Sequence, residues 1–249
     1  SDPRGLAVDA KGFIYVADYH NARVQKFAPD GSFVLTFGTA GDGAGQMKEP
    51  NSIVIDEAGN LLVTDGLGHK LMKFDADGKF IKEWAKPAVD FYGARDLAFG
   101  PNKRLYIIDQ GHTEIQVFDP AADTFTKWGS GGAGDGQFNE ATGIGMGAGL
   151  IFVADRDNRR IQVFDLEGKF LRQWQIIGWE RNHYPDVVYD EVTKHVYVSN
   201  GKTNEILVFD VDGNPLPPLT PPTGEKLANP SAMVISETGK QRRLFVLNT

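Results

Sequence analysis

Leu150-Ile-Phe-Val-Ala-Asp-Arg-Asp-Asn-Arg-Arg-Ile-Gln-Val-Phe-Asp165 decides the fold of this 249-residue chain. An apolar run ends in Asp155, a polar turn follows, and a second β-rich run closes on Phe164-Asp165. The first mark recurs at Asp18, Asp65, Asp109, Asp155, Asn200 and Asn248, in steps of 47, 44, 46, 45 and 48 residues. The second follows about ten residues later, at Phe27, Phe74-Asp75, Phe118-Asp119, Phe164-Asp165 and Phe209-Asp210. A period of this size signals an array of similar supersecondary units, each needing its neighbours to bury its apolar face.

Working outward from the quoted stretch, Thr142–Met146 reads as a first strand and Leu150–Asp155 as a second. Arg160–Asp165 reads as a third and Lys169–Trp174 as a fourth. β-branched and aromatic runs bounded by Gly, Asp and Asn are strand punctuation. Asp30-Gly31, Asp77-Gly78, Glu167-Gly168 and Asp212-Gly213 sit between strands three and four, where Gly supplies the positive φ of a tight turn. Four antiparallel strands repeated every 40–50 residues predict an all-β, six-bladed β-propeller, one domain over residues 1–249. Its blades start near 3, 50, 94, 141, 185 and 230. The sixth has two strands, at Pro230–Ile235 and Leu244–Asn248, so the reading expects an incomplete blade and a chain that is a fragment or is completed elsewhere.

Apolar content of 41% with 24% charged residues is ordinary for a globular domain, and no apolar run reaches the roughly 18 residues of a membrane span. The net charge of −7 argues against a nucleic-acid partner, whose phosphates need a basic face. With no cysteine, disulfides, thiol nucleophiles and thiolate metal sites are all excluded.

Aligning the blades on Leu6, Ile53, Leu97, Ile144, Val187 and Met233 puts Arg4, Asn51, Arg95, Thr142, Pro185 and Ser231 two positions earlier, at the mouth of a central channel. Arg4 and Arg95 suit an anion or carboxylate; pairing with Asp96 and Asp186 is the structural alternative. The divergent loop Gln175–Tyr184 adds Trp179, Arg181, His183 and Tyr184, the aromatic-plus-Arg mix of binding hot spots. Replacing Arg95 and Trp179 together with Ala is expected to abolish binding without unfolding the ring. His20, His69 and His112 fall in equivalent loops, but a six-fold ring holds such loops too far apart for one ion with bonds of about 2 Å. The recurring Asp belongs to every blade and so to the fold, accepting backbone N–H bonds in the following turn, with Arg23 and Arg159 as partners. No catalytic residue and no cofactor are expected; zinc and calcium are the alternatives these residue types leave open. The Gly-rich loops Thr39–Gln46 and Ser130–Gln137 lack the Lys and following helix of a phosphate loop.

Val16-Ala-Asp-Tyr-His-Asn-Ala-Arg-Val-Gln-Lys-Phe27 and Val153–Phe164 resemble the NHL repeat of six-bladed propellers, over nearly the whole chain. Within that group the chain is similar, from Gly136-Gln137-Phe138 through Phe164, to peptidyl-α-hydroxyglycine α-amidating lyases. Those hold zinc with histidines directly after Pro at inner-strand starts; here the positions read Pro50-Asn51, Ala141-Thr142 and Pro230-Ser231, so that activity is not expected. The resemblance also implies propeller lactonases, a lyase acting on a cyclic peptide antibiotic, and RNA-binding NHL domains, and it implies a place outside the cytoplasm. Three readings follow: a binding or scaffolding propeller holding a protein or small polar ligand at the channel mouth, a propeller enzyme of lyase or lactonase type, and an RNA binder, which the acidic charge disfavours. The first is preferred.

Overall fold

A computed structural model describes residues 3–180, 183–222, 225–238 and 241–249. Five sheets of four antiparallel strands, each in sequential order, are joined by two two-stranded sheets, one of them the short parallel pair Ser130–Gly131 with Gln137–Phe138. Blade one comprises Pro3–Val8, Ile14–Asp18, Arg23–Phe27 and Phe33–Phe37; blade four comprises Ala141–Gly147, Leu150–Asp155, Arg160–Phe164 and Phe170–Gln175. The inner strands of blades two, three and five are Pro50–Ile55, Ala94–Phe99 and Val187–Asp190; the sixth sheet pairs Pro230–Thr238 with Gln241–Asn248. Strand bounds in blade four fall within one residue of those read from sequence. Inner strands of successive blades lie side by side, and Pro230–Thr238 lies against Pro3–Val8, so the six form a closed circuit. Among the described residues the one helical element is the 3-10 turn Tyr19–Asn21, and no helix is long and apolar enough to cross a membrane.

The core lies between blades rather than inside any one of them. Tyr15, Ala17, Val24 and Phe37 of blade one pack on Ile53, Leu61, Val63 and Phe74 of blade two. Equivalent clusters fill the interfaces from blade two through blade five. The turn glycines take part: Gly78, Gly168 and Gly213 have φ of 80°, 85° and 90°. A Cβ on them would strike Phe37, Trp128 and Trp174 of the preceding blade, so absence of a side chain serves both the turn and the packing.

The recurring Asp does more than cap its own turn. Asp65 accepts the Gly68 N–H in the following turn, but also the Lys48 and Glu49 N–H groups of the loop leading into its blade. Asp109 accepts Tyr92 N–H and Asp155 accepts Asn139 N–H in the same way. Each carboxylate therefore pins the lead-in loop at the mouth of the channel. The Arg partner also differs from expectation in blade four. Arg160, paired with Asp155 at 2.8 Å, matches Arg23, paired with Asp18 at 2.8 Å. Arg159 instead takes the left-handed turn position (φ 55°) shared with Ala22, His69, Thr113 and Asn204.

Candidate functional site at the channel mouth

Five of the inner strands carry an irregularity at the same place. Pro3 pairs with Asp18 and Gly5 with Ala17, leaving Arg4 outside the ladder. Thr142 and Ser231 are skipped likewise, and in blade two the ladder jumps from Pro50 to Ile53 past Asn51 and Ser52. Blade three makes a fifth case, identical to blade two: its ladder jumps from Ala94 to Leu97 past Arg95 and Asp96, opposite Ile108. A bulge re-aims a side chain and ends regular pairing. Here the bulges turn Arg4, Asn51, Arg95, Thr142 and Ser231 toward a central cavity of about 400 Å³, which Tyr184 also lines.

The tyrosine ring organises the collar. The Arg95 guanidinium lies 4.0 Å from its centroid, Arg4 4.9 Å and Arg156 5.5 Å. Arg4 also stacks at 3.4 Å on Tyr19. Burial and a hydrogen bond with Glu49 push the Tyr19 hydroxyl up to about 12. Arg95 is 9% exposed and donates one hydrogen bond, to Asn51 Oδ1 at 3.1 Å, while Asn51 donates to Ala94 O. A guanidinium has five N–H donors, so most of those on Arg95 are unused. Burial first, then the charge of Arg4, pulls its pKa down to about 10.

One residue deeper, Asp96 and Asp186 stitch blades together. Asp96 accepts the Ser52 hydroxyl at 2.6 Å and Ile144 N–H at 2.8 Å; Asp186 accepts Val187 and Met233 N–H, each at 2.7 Å. Neither forms an ion pair with Arg95, so the expected Arg–Asp alternative is not what holds that cation. Burial raises the pKa of Asp96, and burial followed by the charge of Asp96 raises that of Asp186 well above the carboxylate range.

Arg4, Asn51, Arg95 and Thr142, the positions aligned by spacing, thus line one cavity, together with Tyr184 of the divergent loop. Thr142 is largely spoken for, its hydroxyl donating to Pro185 O at 2.7 Å. Trp179 does not join them. It is 2% exposed, packs with Ile176, Phe152 and Val187 between blades four and five, and donates from Nε1 to Ser199 O. Its replacement by Ala would open a core cavity, so the double change with Arg95 cannot spare the fold. His183 lies half-buried over Gly201, where a Cβ would strike its ring, and its Nδ1 has no partner among the described residues. Arg181 lies outside them. Sequence spacing missed Arg156 and Tyr19, each directly after the recurring Asp; that position reads Tyr19, Gly66, Gln110, Arg156 and Gly201.

The histidines share no common site. His69 stacks on Tyr92 at 5.5 Å, while His112 contacts Asp109 at 2.9 Å. Asp109, His112 and Glu114 offer ligand atoms within 4.8 Å of one another. Two of the three are already engaged, Asp109 by Tyr92 N–H and Glu114 by Gln116 and Lys127.

A family model described as a 6-bladed beta-propeller matches residues 6–95. B-box type zinc finger protein ncl-1 of Caenorhabditis elegans is 53% identical over 45 residues, which are 18% of this chain and 5% of that protein. Protein brain tumor of Drosophila melanogaster is 45% identical over 53 residues, 21% of this chain and again 5% of the relative. The match spans about a twentieth of each relative's length, so it concerns the repeat alone. A gluconolactonase of Xanthomonas campestris superposes with a TM-score of 0.73 at 15% identity, over 99% of this chain and 82% of its own. Virginiamycin B lyase from Staphylococcus aureus gives 0.69 at 17% identity, over 93% and 73%. At such identities the likeness is one of fold. Repeat, ring and matches agree: the chain is a β-propeller built of NHL-type repeats.

Proposed function

We propose that the chain is a binding propeller whose channel mouth holds an anionic group, carboxylate-like in shape, on Arg95 and Arg4. One observation carries the reading: among the described residues Arg95 is a buried cation with a single neutral hydrogen-bond partner. A buried charge without a counter-ion is costly, and an oxyanion would supply both the missing charge and acceptors for the unused N–H groups. Tyr184 fixes the plane of the guanidinium, and Asn51 fixes its edge.

The test is calorimetric titration of acetate, succinate and phosphate into the wild type and Arg95→Gln. At least one anion binds the wild type, and Arg95→Gln weakens it 10-fold or more while the melting temperature is unchanged or higher. Equal affinity in both proteins would place the anion elsewhere.

A catalytic reading rests on the paired acids. Asp96 and Asp186 line the same cavity with raised pKa values, the arrangement from which acid–base chemistry is built. Enzymes that share the fold include the lactonase and the lyase named above. Turnover of a sugar lactone, lost in Asp186→Asn but with anion binding kept, would move the assignment from binding to catalysis.

A further inference from the structure

The channel changes chemistry along its axis. Each inner strand runs from the collar toward the opposite face, and four residues of strand advance about 13 Å. Over that depth Arg4 gives way to Leu6 and Val8, Asn51 to Ile55, Arg95 to Phe99, and Thr142 to Met146. Ser231 gives way to Ile235, and its buried hydroxyl has no hydrogen-bond partner among the described residues. Val8, Ile55, Phe99, Met146 and Ile235 line the cavity and are half-buried, and Ile55, Phe99 and Met146 also pack on the cores between blades. No charged side chain lines the cavity below Asp96 and Asp186. At the far end of the strands Asp9, Asp56 and Asp190 follow Val8, Ile55 and Tyr189, with Asp56 paired to Lys73 and Asp190 to Arg242.

We infer that the channel takes an amphiphilic carboxylate, its head on Arg95 and Arg4 and its apolar body extending past Ser231 along the aliphatic wall. The inference rests on the anion reading above and adds the class of ligand. The mouth fixes the orientation, because Arg4 and Arg95 are the cations among the described residues that line the cavity. A purely polar anion would leave the apolar wall wet, and a neutral apolar molecule would leave Arg95 unpaired; both forgo part of what the cavity offers.

The test is a chain-length series of acetate, butyrate and hexanoate, with hexylammonium and hexanamide as controls, titrated into wild type, Arg95→Gln and Met146→Glu. Affinity is expected to rise about fourfold per methylene, the equivalent of full burial of each CH₂. Hexylammonium does not bind and hexanamide binds more weakly than hexanoate. Met146→Glu keeps acetate and loses the gain with length; Arg95→Gln loses the whole series. If acetate binds and Arg95→Gln abolishes it, but hexanoate is no tighter, the amphiphile is overturned and the anion site stands. If hexanoate, hexanamide and hexylammonium bind alike and Arg95→Gln changes nothing, the anion site falls and the amphiphilic acid with it. Absence of binding by every carboxylate overturns both. The series on the wild type decides the matter even where Met146→Glu does not fold.

Discussion

At the residue scale, the recurring acid shows how one side chain serves different stakes in different blades. Asp155 is fully buried and accepts from Asn139 N–H, Asn158, Arg160 and Gln162. Arg160 is itself 3% exposed. Removing one partner of a buried pair leaves an uncompensated charge, so Asp155→Ala is expected to cost about 3–5 kcal/mol in urea unfolding. Asp18 is equally buried, but its partner Arg23 keeps about a third of its side chain in solvent. Asp18→Ala is expected to cost less, about 1–2 kcal/mol, because water can take over the arginine. Equal losses at the two positions would mean that the loop pinned by Asp155 contributes nothing. Arg95 behaves oppositely to Arg160. Its contacts, Asn51 and the Tyr184 ring, are neutral and no ion pair holds it among the described residues, which is why its replacement is predicted to remove binding and not stability.

At the scale of the element, the bulged inner strand is what converts a repeat into a site. Where the bulge brings backbones close, glycine is required. A Cβ on Gly143 would lie 2.7 Å from Asp186 Cα and 2.9 Å from Pro185 O, and one on Gly5 would lie 2.7 Å from Asn51 O. Those neighbours are backbone and cannot swing away. Gly143→Ala is therefore expected to destabilise by about 1–3 kcal/mol and to disturb anion binding as blade five is pushed off. Gly149, with open space around its Cβ position, is the matched control for proximity, although its φ of 72° also disfavours a side chain. If Gly143→Ala costs no more than Gly149→Ala, close approach is not what the position selects. These strands also show how far the sequence could be read. The 44–48-residue period and the Asp-Gly turns revealed the blades and the collar positions, because spacing survives folding unchanged. The bulge did not show, since alternation of apolar and polar residues marks which face a side chain takes and not a residue that drops out of register. Arg156 and Tyr19 stayed hidden because they follow the structural Asp and read as turn. Trp179 was misread because a large aromatic in a divergent loop has the same composition whether it lies on the surface or folds down between blades.

At the scale of the whole molecule, the channel joins charges contributed by several blades, and pH should act on it as a unit. Facing the collar are Arg4 and Tyr19 from blade one, Arg95 and Asp96 from blade three, Arg156 from blade four, and Tyr184 and Asp186 from blade five. Arg156 is balanced by Glu140 and Asp157, so the upward-shifted groups at the mouth that bear on an anion are the two buried acids. Both have folded pKa values above the unfolded carboxylate, through burial first and, for Asp186, the charge of Asp96 second. The folded ring therefore holds protons that the unfolded chain releases. Their contribution to stability is fully present below the unfolded pKa of about 4 and is lost as pH rises through the raised folded values. Anion binding should follow the same direction. Ionised, the two acids oppose an incoming carboxylate at Arg95; protonated, they do not. Hexanoate affinity is expected to increase as pH falls toward 5, until the ligand's own carboxyl titrates, and Asp186→Asn should flatten the dependence by removing the more strongly shifted acid. An affinity that instead improves with rising pH would mean that Asp96 and Asp186 hold the arginines in place as anions, and that the ligand depends on their charge.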